Sequence, residues 1–451
     1  MLARADEERP QIKALLKLLA PIHGTGRKHF RVYKDGWWQS FDRDEIANWI
    51  TKFCDVSEDL SNYRINQLVG HLAAETHRKP EEFNSFAKFD DAGWPMLCLK
   101  NGILQINASV RTKEQEAFSL GEHRPEEYFA AQIPISYKPP EGFDPWKPGP
   151  KTLEFLNSAL GTEADQKILQ MQLGYLFYPD HHLQTAFVMG GPGGTGKSTI
   201  CKIPRSILGP TLCTAAPLES IADQQRPYSL IRLEHAALNI VGELKPTEYK
   251  SEKLKQIISG EPVEIRAPFE LPYDGVIQPK IWCMTNHETR FSFSTDAELR
   301  RFQWIAVIHK PDEDNKKLGR QIEAEVDTNL LWGLEGLLLV IDGQPFPEPS
   351  EQSSVMRRDF ALVNASEKIF LEECFEYDPR AWENSNHVWE AFCTFCEKNE
   401  LAIPEPKTKP WMLRRLRSLN PEKISSKLEG PETDRFRVLR GIKFKKDCPH
   451  V

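Results

Sequence analysis

The stretch Gly190-Gly191-Pro192-Gly193-Gly194-Thr195-Gly196-Lys197-Ser198-Thr199 follows a short apolar run, Ala186-Phe187-Val188-Met189, and leads into a helical start. From Gly191 to Ser198 it satisfies G-x-x-x-x-G-K-[ST] in the strand-loop-helix setting that gives the pattern its meaning. The residue types fit one task. Gly191, Gly193, Gly194 and Gly196 let the backbone wrap an anion with its N–H groups pointing inward, and the helix that follows presents its positive end to the same anion. Thr195 completes the loop, Lys197 reaches β- and γ-phosphates, Ser198 holds Mg²⁺, and Thr199 supports the turn. The expected ligands are therefore ATP and Mg²⁺.

Downstream segments supply the other groups that nucleotide hydrolysis needs. Ala237-Leu238-Asn239-Ile240-Val241-Gly242-Glu243 reads as an apolar strand ending in a carboxylate. In a parallel sheet that end lies beside the glycine-rich loop, so Glu243 is expected either on Mg²⁺ through water or as base for the lytic water. Gly242 stands where many such enzymes have a second acid, and the sequence leaves the two roles unseparated. A third strand, Lys280 to Thr285, ends in Asn286, a side chain suited to hydrogen-bond a γ-phosphate or its attacking water. Arg300 and Arg301 precede a further apolar strand, Trp304 to Ile308. In a ring ATPase, an arginine at such a place reaches the nucleotide held by the neighbouring subunit; a solvated helical face is the plainer reading of the same pair.

Composition bounds the rest. The 451 residues carry a net charge of −7 and nine cysteines. No apolar run approaches the ~20 residues needed to span a bilayer, and the start Met1-Leu2-Ala3-Arg4-Ala5-Asp6 lacks the order of a signal peptide. A cytoplasmic protein with reduced thiols and no membrane partner is expected. Cys393 and Cys396 form a C-x-x-C that Cys448 and His450 could extend to a zinc site, but the pair lies in an apolar helical pattern and reads as core. Charge is uneven: Leu401 to Val451 holds thirteen Lys and Arg against six Asp and Glu, net +7, which leaves −14 for residues 1–400.

Proline-rich punctuation near residues 139–150 and 345–350 divides the chain. Four parts are expected: an α+β N-terminal region over 1–145, a helical lead-in and P-loop core over 146–344, a linker over 345–366, and a C-terminal module over 367–451. In the first part Phe30–Tyr33 and Gly36–Ser40 read as a hairpin, and Leu97 to Ile106 as another about Asn101-Gly102. Asp42 with Glu45 three residues later reads as a helix cap, although Asp42-x-Asp44 also resembles a metal-binding pair.

The order of motifs resembles that of the superfamily 3 DNA helicases of the AAA+ group, most closely the helicase portion of the phage and plasmid primase-helicase family, from about Leu97 to Lys446. Gly191–Thr199 matches the family's first motif, Glu243 its second, and Lys280–Asn286 its third. Lys255 with Gly260-Glu261 resembles its Lys-x-x-x-x-Gly-acid signature, and Leu299-Arg300-Arg301 its arginine finger. The resemblance implies an α/β AAA+ core, a homohexameric ring with each site completed by a neighbour, and 3′-to-5′ travel on single-stranded or forked DNA in phage, plasmid or mobile-element replication. It further implies that Val263–Gln278 forms a DNA-gripping hairpin, with Val263–Arg266 and Val276–Gln278 as strands and Lys255 and Arg266 on phosphates. The tip, Phe269 to Gly275, departs from the family in having no Lys or Arg. A winged-helix-like end is implied too, with Arg414, Arg415 and Arg417 as DNA contacts. Residues 1–96 are too short for a primase, which places any primase or polymerase partner in trans or on a missing portion of the chain. Rival expectations are an origin-melting initiator or loader, a non-enzymatic DNA-binding regulator, and RNA as the track.

Overall fold

Two small antiparallel sheets precede the glycine-rich loop, the first built by alternation of apolar and polar residues and the second around two almost wholly buried strands. The structure is a computed structural model that describes residues 21–25, 29–53, 62–110, 117–139, 144, 147–222, 228, 230–233, 236–244, 248–249, 252–266, 272–286, 290–291, 300–310, 315–364, 366–399, 401, 408–429, 436–446 and 448. Strands β1 (Ile22–Gly24), β2 (His29–Lys34) and β3 (Trp37–Asp42) pair in that order. The β2–β3 turn places Asp35 at φ 54° and Gly36 at φ 89°, the two positive values of a tight hairpin turn. Helix α1 (Arg43–Phe53) follows directly. Its entry is a reciprocal cap: the Glu45 amide donates to Asp42 Oδ1 at 2.8 Å and the Asp42 amide to Glu45 Oε2 at 2.7 Å. The Asp42 carboxylate is thus engaged at the helix start. Helix α2 (Asn62–Glu75) lays Ile65, Leu68, Val69 and Leu72 onto Phe30, Val32 and Ile46.

The second sheet runs β4 (Ala87–Phe89), β5 (Pro95–Leu99), β6 (Gly102–Ile106), β7 (Phe118–Gly121). Leu99 pairs with Gly102, so Lys100-Asn101 makes the turn and Gly102 opens the return strand, one position earlier than an Asn-Gly turn would give. Leu97, Leu99, Leu104 and Ile106 join one apolar cluster with Phe187, Trp282 and Leu334. This sheet and the parallel sheet that follows therefore share a core.

Helices α3 (Pro150–Ala159) and α4 (Glu163–Tyr175) lead to β8 (Ala186–Gly190), α5 (Lys197–Ile200), α6 (Lys202–Leu212), β9 (Cys213–Thr214), α7 (Leu218–Ala222) and β10 (Leu238–Val241). Next come β11 (Glu248–Tyr249), α8 (Glu252–Ser259), β12 (Val263–Ile265), β13 (Tyr273–Gly275), β14 (Lys280–Thr285), β15 (Arg290–Phe291) and β16 (Phe302–Ala306). Five of these strands form a parallel sheet in the order β16-β8-β14-β10-β9. Its strands are apolar on both faces, as a sheet covered on both sides requires. The fold is mixed α/β. One polar residue is admitted mid-strand: Asn239, fully buried, accepts from Thr214 Oγ1 (2.9 Å) and the Ala216 amide (2.8 Å) and donates to the Ala216 carbonyl (3.0 Å), fastening the edge strand. Two bounds differ from expectation. β16 begins at Phe302 rather than Trp304, because its register starts opposite Ala186. The hairpin's return strand is Tyr273–Gly275 rather than 276–278, because Ile265 pairs with Tyr273.

Behind the sheet, α9 (Leu318–Ala324) precedes α10 (Val326–Ile341), whose buried length packs on α4. The approach is backbone to backbone. A Cβ on Gly336 would stand 2.0 Å from the Gln170 carbonyl oxygen, and one on Gly174 2.1 Å from the Leu337 nitrogen. Helix α11 (Glu351–Asn364) lies within the stretch expected as linker and packs Phe360 against Trp304, ring centroids 4.8 Å apart and planes tilted by 43°. Its start is held by buried Asp165, which accepts from Ser350 Oγ (2.5 Å) and Ser353 Oγ (2.9 Å), while Ser353 Oγ accepts the Ala306 amide (2.8 Å).

The C-terminal module runs α12 (Ser366–Cys374), β17 (Phe375–Asn384), α13 (Ser385–Lys398), α14 (Lys409–Leu419), β18 (Ser425–Glu429), β19 (Phe436–Phe444). Its antiparallel sheet is β17-β19-β18, around Phe370, Phe392, Phe395 and Leu416. β17 was not expected from sequence; Pro379 lies inside it, where the pairing skips from Asp378 to Trp382 in a bulge. Cys396 is in this core, its thiol pushed up to about 12 by burial, and Cys448 is buried beside Cys374. His450 lies outside the described residues. Among the described residues no helix is long and apolar enough to cross a membrane.

Candidate nucleotide-binding site

Parallel strands bring their carboxyl ends to one edge, and three of the motif segments sit at that edge. Gly191 leaves β8, Gly242-Glu243 leaves β10, and Asn286 leaves β14, the strand between them. The Gly191 amide donates to the Thr285 carbonyl at 3.2 Å and the Leu244 amide to the Met284 carbonyl at 2.8 Å, tying the three exits together. Asn286 Nδ2 donates to Glu243 Oε1 at 3.1 Å.

The loop turns on glycines that no other residue could replace cheaply. Gly191, Gly194 and Gly196 take φ of 144°, 83° and 100°, and a Cβ on Gly191 would lie 2.2 Å from the Val307 carbonyl oxygen. Lys197 opens α5, and Cys201 at φ −63°, ψ −16° carries helical backbone on into α6. Lys197 Nζ donates to the carbonyls of Gly191 (2.5 Å) and Pro192 (2.7 Å), and Thr195 Oγ1 donates to Pro192 at 3.0 Å. Burial lowers the Lys197 pKa below the usual lysine range while Glu243 opposes that shift.

These groups line one cavity of about 680 Å³, the size of a small-ligand pocket. Gly193 to Thr199, Glu243 and Asn286 face it, and Thr199 and Gly196 are joined by an amide-to-carbonyl bond of 2.9 Å. Sequence reading missed the other walls. α3 contributes Glu154, Phe155, Ser158 and Ala159, and the far side comes from His309, Asn315, Lys316 and Gly319. Their signal is tertiary: α3 is positioned by Glu325, whose carboxylate accepts from the Lys151 (2.7 Å) and Thr152 (2.8 Å) amides across 173 or more residues of chain. Lys202, four residues past Ser198 on the helix that follows the loop, also lines it and pairs with Glu323 at 3.2 Å. The donor set suits a magnesium nucleotide: the exposed hydroxyl of Ser198 and the carboxylate of Glu243 share the cavity with the loop amides and Lys197.

The arginine pair is elsewhere. The Arg301 carbonyl accepts the Ala186 amide at 2.7 Å, at the amino end of β8, so roughly 13 Å of strand separates it from the loop of its own chain. Arg301 donates through Nε (3.2 Å) and a terminal nitrogen (3.1 Å) to Ser259 Oγ, whereas Arg300 is exposed. Of the expected DNA contacts, Lys255 is half-buried on α8 and Arg266 is exposed and paired with Glu264 at 2.8 Å. Tyr273 is exposed, and Phe269 lies outside the described residues. On α14, Arg414 and Arg417 are exposed and Arg415 is half-buried.

Comparison with known proteins adds the following. A family model described as a family of unknown function, DUF5906, matches residues 188–301. No curated protein matches the sequence. Among solved structures, the apo structure of the NrS-1 C-terminal region (305-718) is similar at 9% identity and TM-score 0.52, covering 95% of this chain and 98% of that one. A second apo form of the NrS-1 C-terminal region gives 10% identity and TM-score 0.49 over the same shares of the two chains. The first likeness is one of fold, and it extends over nearly the whole chain.

Proposed function

We propose that this chain is an ATP-dependent DNA helicase motor of the superfamily 3, AAA+ type, working as a ring on single-stranded DNA. The observation that carries the reading is the shared cavity: Lys197, Ser198, Glu243 and Asn286, drawn from three separated segments, line one space of nucleotide size. In it the loop amides and Lys197 would bind the β- and γ-phosphates, and Ser198 with Glu243 would hold Mg²⁺. The metal would supply charge neutralisation to the phosphates. Glu243, which accepts a hydrogen bond from Asn286, would act either on Mg²⁺ through water or as the base that orients or deprotonates the attacking water.

Placement of Arg300 and Arg301 at the opposite end of the sheet supports assembly, since neither can serve its own loop and Arg300 is exposed, while Arg301 is held by Ser259. Homohexamer formation is the corresponding proposal. The helix–strand–helix–helix–strand–strand order of the C-terminal module supports a winged-helix reading, with Arg414, Arg415 and Arg417 toward DNA phosphates. Lys255 and Arg266 are proposed as phosphate contacts beside the central hairpin, and a primase or polymerase as partner. In this reading the chain divides into an N-terminal region, a core, a connecting segment and a C-terminal module.

Strand displacement tests it. With MgATP the protein should unwind forked duplexes of increasing length, and Lys197→Ala should not. A wild-type protein that hydrolyses no ATP with or without single-stranded DNA contradicts the proposal.

A further inference from the structure

The chain leaving β16 runs on beside the glycine-rich loop. The Val307 amide donates to the Gly190 carbonyl at 2.8 Å, the Val307 carbonyl fills the space beside Gly191, and three residues later the Lys310 side chain lies on Gly194. Its Cε is 3.2 Å from where a Cβ on Gly194 would stand. Gly194 is itself at φ 83°, so the loop at this point is bare backbone and the lysine stem replaces the missing side chain. Such packing fixes where a long side chain carries its charge.

Lys310 stands against Gly194 outside the lining of the cavity, and the lysines that do line it are engaged differently. Lys197 donates to two loop carbonyls, and Lys202 reaches past Gly319 to Glu323. Lys316 lines the cavity without lying against any loop glycine. Lys310 is exposed, and among the described residues no carboxylate pairs with it.

The geometry points to Lys310 as a second phosphate-binding cation of the loop, supplied in cis from the strand beside β8 and directed at the terminal phosphates of a nucleoside triphosphate. This rests on the nucleotide reading and deepens it. A triphosphate presents more charge to the loop than a diphosphate does, and a cation above Gly194 favours the former. Lys310 thereby helps the site tell substrate from product.

Equilibrium binding of fluorescent MgATP and MgADP analogues tests this, with Lys310→Met, Lys310→Arg and Lys197→Ala beside wild type. Lys310→Met keeps an unbranched stem over Gly194 and removes only the charge. It should weaken MgATP roughly tenfold and MgADP by less, and Lys310→Arg should recover most of the loss. The melting temperature without nucleotide should be unchanged while the shift produced by MgATP shrinks. Lys310→Met binding MgATP within about twofold of wild type, with Lys197→Ala impaired, overturns the assignment and leaves the nucleotide site standing. Equal weakening of both nucleotides, or no recovery in Lys310→Arg, overturns it as well. Wild type that binds neither nucleotide overturns both readings together.

Discussion

Lys280 opens β14 as a fully buried lysine, its Nζ donating to the Tyr178 carbonyl at 2.9 Å and lying 4.9 Å from the centre of the Tyr175 ring. Burial depresses its pKa to about 7, against a weak opposing pull from Asp180. The unfolded chain holds a proton there up to its ordinary value of about 10.4, so between these two pH values the unfolded state binds more protons and stability rises with pH. Below about 7 both states are charged and the penalty is fully developed. Lys280→Met should therefore flatten the pH dependence: denaturant titrations from pH 7 to 9 should show wild type gaining on the variant, by up to ~1.4 kcal/mol per pH unit, and a constant difference would contradict this. A second residue-scale prediction concerns Glu243. Glu243→Gln preserves the hydrogen-bonding shape beside Asn286 and removes the base, so MgATP binding should persist while kcat falls by roughly 10²- to 10⁴-fold in a steady-state assay. Loss of binding with kcat unchanged would place Glu243 outside the chemistry.

Among the elements, the α4–α10 contact depends on the absence of two side chains. Gly336→Ala would force a methyl onto the Gln170 carbonyl, an overpacking that costs about 1–3 kcal/mol and should lower the midpoint of chemical denaturation with an unchanged slope. This contact was not legible in the sequence, because nothing near Gly336 in its mostly apolar helix marks a close approach and its partner is over 160 residues away. Legibility followed locality throughout. The strand before Gly191, the Asp42–Glu45 cap and the Phe30–Ser40 hairpin are decided by neighbouring residues, and each reads correctly. Register is decided by a distant strand: hence the two-residue shift of β16, the return strand at Tyr273, and β17, whose Pro379 and bulge hide its alternation. The candidate site divides the same way. Loop, acid and amide were visible because each ends a strand, whereas Phe155, His309 and Lys310 reach the loop only through the fold.

At the scale of the whole molecule, a chain of net charge −7 carries its exposed α14 arginines in the basic C-terminal segment. Arg414→Ala/Arg417→Ala should weaken binding evenly across DNA sequences and reduce the slope of log K against log salt, by about 0.7 on a single strand for every phosphate left unneutralised. An unchanged slope would remove α14 from the DNA interface. The sheet also separates the two ends of β16, with Arg300 and Arg301 before its entrance and Lys310 beyond its exit, beside Gly194 of the glycine-rich loop. On the proposed reading, the site would be complete only when a second copy supplied the arginine. The direct measurement is ATPase activity on single-stranded DNA as wild-type protein is mixed with rising fractions of Arg300→Ala/Arg301→Ala protein at constant total concentration. Activity should fall more steeply than the wild-type fraction, because each variant subunit disables a neighbour's site. Activity that falls in strict proportion, or stays constant, contradicts the account.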